Sequence, residues 1–146
     1  LASGEQILDS GAKVICLADN TSAMIRSKSV SKNGGVSMTK TLAKVGKGIK
    51  GVKAYIDCKS LILDSESRSY AEPMVDVNSR EAEVTHEASV GKLSEEILYY
   101  LATRGIGEEK AKEILIRGFS EEITKALPLE YAMEMNNLIK LEMQNM

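Results

Sequence analysis

At Lys92 the chain changes period, and this change limits what it can fold into more than any other feature. Before about Val90 it runs in short segments rich in Val, Ile, Ser, Thr, Asn and Gly; after Lys92 it turns to Glu, Leu, Ala, Met and Lys at helical spacing. Residues 13–17, 23–30, 36–45, 51–63, 74–77 and 82–86 are the expected strands, bounded by Asn20, by Asn33, Gly34 and Gly35, by Gly48, by Ser65, and by Asn78 and Ser79. The sequence therefore divides into a β part over 1–90 and a helical part over 91–146. The chain has one Phe and no Trp. A sandwich or barrel of this size uses more aromatic bulk, whereas narrow stacked coils fill with Val, Ile, Leu, Ala and Ser. No repeat of fixed length is visible, so periodicity alone leaves a parallel β-solenoid and an antiparallel sandwich both open.

In the helical part, Ser94 is placed to cap a first helix with Glu95 and Glu96 in its opening turn, Ile97, Tyr100 and Leu101 on one face, and Gly105 at its end. Glu108 and Glu109 open a second helix with Ala111, Ile114 and Leu115 as its apolar face. Gly118 is expected to break it and Ser120 to cap a new start, with Ile123 and Leu127 buried. Pro128 opens a last helix through Tyr131, Met135 and Leu138, so three or four short helices are expected. Met133, Met135, Met143 and Met146 lie in or after that helix, and thioethers suit a partner surface as well as a core.

Several function classes fall away on composition. A net charge of −2 and a pI near 5.6 give no field that would draw the chain onto nucleic acid or anionic lipid. The acid-free run of Lys40, Lys44, Lys47, Lys50 and Lys53 reads as a solvated face. No apolar stretch reaches the roughly 18 residues of a membrane span and no signal-peptide pattern opens the sequence, so a cytoplasmic location is expected. Two cysteines, Cys16 and Cys58, are too few for a disulfide scaffold. The first residue is Leu1, which reads as the start of an excised piece of a longer chain.

The chemistry-bearing residues are sparse. Cys58 lies in a strand-like stretch between Asp57 and Lys59, and His86 is the one histidine, followed by Glu87. A single histidine without a CxxC pair excludes the common zinc motifs, and neither a phosphate-binding G-K-[ST] loop nor a G-x-S-x-G elbow is present. The residues do not compose an enzyme active site.

Five motifs in order carry a resemblance: DCKSLILD from Asp57 to Asp64, YAEP from Tyr70 to Pro73, HEASVGK from His86 to Lys92, YYLATRGI from Tyr99 to Ile106, and IRGF from Ile116 to Phe119. Together they resemble the C-terminal region of the SufB and SufD proteins of the SUF iron–sulfur cluster assembly system, over residues 22–143. The resemblance implies a right-handed parallel β-helix followed by a small α-helical domain. It further implies a SufC-like ATPase docked on the helices, and pairing through the β-helix with a SufD-like or identical subunit. A homodimer is expected in isolation. The resemblance also implies that Cys58 and Glu87 are ligands of a nascent cluster, with His86 as nearby support or alternate ligand. The THEA wording at Thr85 to Ala88 is SufB-like, since SufD proteins typically carry glycine where Glu87 stands.

A non-enzymatic scaffold is therefore the expected role, its iron–sulfur cluster transient and absent from the isolated fragment. With two cysteines the chain cannot supply an all-thiolate set, and a mixed, labile site suits a cluster donor. Strand alternation lets one of His86 and Glu87 share a face with Cys58, and the resemblance selects Glu87. Leu127, Leu129, Tyr131 and Met135 are the expected ATPase contacts. The alternative is a purely structural pairing module of the same complex without cluster ligands. A β-helix carbohydrate enzyme is a weaker rival, since Asp57, Asp64, Glu72 and Asp76 do not form an evident acid cluster.

Overall fold

The computed structural model describes residues 1–144, so Met146 falls outside it. Seven strands come first: β1 (Ala2–Ser3), β2 (Ile7–Cys16), β3 (Ser22–Lys32), β4 (Val36–Val45), β5 (Val52–Ile62), β6 (Arg68–Val77) and β7 (Ala82–Lys92). Odd-numbered strands form one sheet in the order β1-β3-β5-β7 and even-numbered strands another in the order β2-β4-β6, with every pairing parallel. Each strand thus pairs with the strand two further along, and the chain winds between two sheets as a parallel β-solenoid of about three turns. The sandwich alternative is thereby excluded. This unit spans Leu1–Lys92.

The interior is narrow, and the small side chains fit it. One core cluster is Ile25, Ala43, Ile56 and Cys58; a second is Cys16, Val45 and Val52. Between the sheets a ladder of hydroxyls replaces apolar bulk: Ser31 donates to Ser37 at 3.0 Å, Ser37 to Ser69 at 2.9 Å and Ser29 to Ser60 at 2.9 Å. Each hydroxyl can both donate and accept, so the serines partner one another across the interior. At the turns Asn33 and Gly34 adopt φ of 52° and 85°, left-handed values that asparagine and glycine tolerate best. The carboxylate of Asp64 accepts from the N–H groups of Asn33, Glu66 and Ser67 and fixes two stacked turns at once. The lysine run is a solvated face cross-linked to neighbouring coils, with Lys40 to Asp9 at 2.6 Å, Lys44 to Asp76 at 2.7 Å and Lys50 to Glu81 at 3.3 Å.

Several strand limits differ from those expected. β2 starts at Ile7, and β6 at Arg68, so the segment from Tyr70 to Pro73 is strand. Pro73 has no N–H to give to a ladder, and β6 is an edge strand of its sheet, where that loss is tolerated. β7 does not stop at His86 but continues to Lys92.

The second unit, from Leu93 onward, holds α1 (Glu95–Thr103), α2 (Glu108–Thr124) and α3 (Leu129–Gln144). Ser94 caps α1 by accepting from the Ile97 N–H. Gly105, at φ 80°, closes it in a Schellman motif: Ile106 N–H bonds the Leu101 carbonyl and Gly105 N–H that of Ala102. The expected break at Gly118 does not occur. α2 runs through it, and Ser120 donates to the Arg117 carbonyl one turn back instead of capping a new helix. Leu127, expected to be buried, is exposed beyond the end of α2, and Ile97 and Tyr100 are exposed on α1. None of the three helices is long and apolar enough to cross a membrane, among the described residues.

Candidate functional site

β5 alternates except at Asp57: Val52, Ala54, Ile56, Cys58, Ser60 and Ile62 are buried toward the solenoid interior, while Lys53, Tyr55, Lys59 and Leu61 lie on the outer face together with Asp57, which is buried there too. Cys58 is 3% exposed, with Ser27 beside it on β3 and Ala88 on β7. Burial pushes its thiol above the ordinary range; the adjacent Thr41 hydroxyl opposes this and the Asp57 charge adds to it. Cys58 is therefore a protonated, buried thiol at neutral pH. Cys16 lies in the other core cluster.

The register of β7 against β5 is unbroken from Val52 with Ala82 to Ile62 with Lys92, leaving no bulge. Ala82 and Val84 pack on the core, so His86 and Ala88 continue on that inner face. His86 stands beside Ile56, one row from Cys58; it is exposed because β7 is the last strand of its sheet. Glu87 stands beside Asp57 on the outer face. The structure thus puts His86 on the face of Cys58 and Glu87 on the opposite one, correcting the expectation that Glu87 shares it. An unbroken parity of two decides the matter.

The outer face has its own network. The side chain of Asp57 is 4% exposed; its Oδ2 accepts from Lys59 Nζ at 3.1 Å and lies 3.9 Å from Arg26 Nε, and its Oδ1 is buried without a hydrogen bond. Glu87 Oε2 accepts from the Tyr55 hydroxyl at 2.7 Å. That bond, with partial burial behind it, pushes the Tyr55 phenol above its ordinary range. Tyr55 was not singled out in the sequence. It lies 32 positions before Glu87, one coil plus two residues, a spacing with meaning only once the coil length is known. Among the described residues no three His, Cys, Asp or Glu side chains converge to hold a metal ion.

In the helical unit, α2 and α3 enclose a groove of about 650 Å³ lined by Ile114, Arg117, Leu127, Leu129, Ala132 and Asn136. Leu129 and Tyr131 are 71% and 67% exposed, while Met135 is half-buried.

A solenoid with two buried thiols and an exposed His-Glu pair on its edge strand is a small chemical inventory, and comparison with known proteins gives it context. The family model for the SUF system FeS cluster assembly SufBD core domain matches residues 1–119. The chain belongs to the SufBD family. A Staphylococcus epidermidis iron-sulfur cluster assembly SufBD family protein is 50% identical over 143 residues, covering 98% of this chain and 31% of that protein. A Staphylococcus aureus protein of the same description is 50% identical over 139 residues, covering 95% of this chain and 30% of its own length. This SufBD chain therefore spans about a third of the curated relatives it matches.

Proposed function

We propose that this chain is the part of a SufBD scaffold that holds a nascent iron–sulfur cluster at a subunit interface and docks a SufC-like ATPase. The observation that carries the reading is the position of His86 and Glu87 on β7, the edge strand, one strand away from Cys58. An edge strand leaves backbone N–H and C=O groups unpaired, so a SufD-like or identical subunit can pair along it. A cluster seated just beyond that edge is reached by His86 from the inner side and by Glu87 from the outer side. Cys58 supplies the soft ligand, and it does so when the last coil loosens, because its thiol has first to lose a proton in contact with water.

The cluster is cargo in this reading, and a ligand set that mixes a hard carboxylate with a soft thiolate gives it up readily. The ATPase docks on the helical unit through Leu127, Leu129, Tyr131 and the half-buried Met135; the apolar surface that Leu127, Leu129 and Tyr131 expose exceeds what a three-helix unit needs to leave uncovered. Assembly of this kind belongs in the cytoplasm with the free thiols it uses. The second reading, a structural pairing module without ligands, draws its support from the burial of Cys58. Anaerobic reconstitution of the full-length protein with its partners separates the two. Iron and acid-labile sulfide bound per complex fall in Cys58→Ala on the scaffold reading; loading equal to the parent, with the complex intact, leaves the pairing module.

A further inference from the structure

We infer that Tyr55 is the positioning residue of the oxygen ligand: its hydroxyl holds Glu87 by Oε2 and leaves Oε1 free to take iron. This rests on the reading of Glu87 as an iron ligand.

Two facts of the fold bring the pair together. Tyr55 and Glu87 point to the same outer face, since Tyr55 stands beside Thr85 and Glu87 is two residues further along β7. A diagonal neighbour at this spacing is within reach of an aromatic side chain and beyond most others, and the bond formed is 2.7 Å long. The tyrosine is itself held, half-buried, beside Met24 on β3, and lines a hollow of about 420 Å³ with Met24, Lys53, Glu83 and Thr85. Glu87 by contrast is exposed on an edge strand, where a long side chain samples many rotamers.

The choice of donor fits the task. Arg26 and Lys59 on this face both reach Asp57. Glu87 is met by a neutral phenol, which fixes a carboxylate without cancelling the charge a ferrous ion needs. Hydrogen-bond partners behind metal ligands typically account for 10- to 100-fold in affinity.

The test uses the full-length protein assembled with its partners, titrated anaerobically with ferrous iron as Tyr55→Phe, as Glu87→Ala and as the double variant. Tyr55→Phe should weaken ferrous iron binding about tenfold while assembly and thermal midpoint stay at parent levels. The double variant should bind no worse than Glu87→Ala alone. Parent affinity in Tyr55→Phe while Glu87→Ala is impaired overturns the positioning role and leaves the ligand reading standing. So does a Tyr55→Phe loss of the same size in the Glu87→Ala background, which marks a structural effect. Parent affinity in Glu87→Ala itself removes the ligand reading, and the inference with it.

Discussion

Glu87 lies beside Asp57, not beside Cys58. One position of register separates these alternatives, and it places a sheet's thickness between the thiol and the carboxylate. On the proposed scaffold reading, the two sides of β7 contribute independently to cluster holding. His86→Ala, on the face of Cys58, should lower iron and sulfide loading by the full-length complex at least as much as Glu87→Ala, about tenfold in apparent iron affinity for each. Loading measured on the two single variants checks this, and a His86→Ala complex that loads like its parent would return Glu87 to sole importance.

The buried thiol also sets an alkaline limit. Because folding raises the Cys58 pKa, chiefly by burial, the folded state binds more protons than the unfolded one once the unfolded thiol begins to ionise. Its contribution to stability is full below about pH 8.5, the ordinary thiol value, and is lost as pH rises toward the folded value. Denaturant melts of parent and Cys58→Ala across pH 7 to 10 should converge, the variant starting about 1 kcal/mol lower and declining less. Parallel curves would mean that the thiol is not held protonated by the fold.

Gly118 sits inside α2, and a Cβ built there meets no atom within 4 Å. Gly118→Ala should therefore stabilise the helical unit by about 0.5–1 kcal/mol, read as a raised melting midpoint. The same methyl enters the groove between α2 and α3, which Gly118 lines. If the ATPase uses that groove, the variant will be more stable and will bind it less well.

Exposed apolar residues on α3 give the docking reading its own check. Leu129→Ser with Tyr131→Ala should weaken association with a SufC-like ATPase by tenfold or more, as loss of aromatic and aliphatic anchors does at interfaces, while changing the helical signal in circular dichroism little. Unchanged binding places the contact elsewhere on the chain.

How much of this could be read from the sequence depends on the layer. The switch at Lys92 was plain, because helix and strand periods differ and Ser94 with Gly105 mark one helix at both ends. The solenoid repeat was not, because its length drifts: Ile7 stands beside Val36, 29 positions on, while Val36 stands beside Arg68, 32 positions on. The turns absorb the difference. Hydropathy alternation was blurred as well, since β4 turns Ser37, Thr39 and Thr41 inward and Met38 and Leu42 outward. Cys58 and the pair His86 and Glu87 were visible as residue types; their faces followed from parity, which favours His86, whereas the resemblance favoured Glu87. Gly118 misled because an unfavourable residue in a helix does not end one when packing on either side continues it.

Stacked coils touch only the coil before and the coil after, so their cohesion adds up along one axis like that of coins in a roll. β7 has a paired strand on one side alone. The coil that carries His86 and Glu87, and that covers Cys58, is thus held by fewer contacts than the coil beneath it, and it can part from the stack without loosening the hydroxyl ladder between Ser29, Ser37 and Ser69. Amide protons should record this as a gradient, exchanging soonest along β7 and latest in β3 and β4. A lid in other proteins is a loop added to a rigid body; here it is the body's own outermost layer.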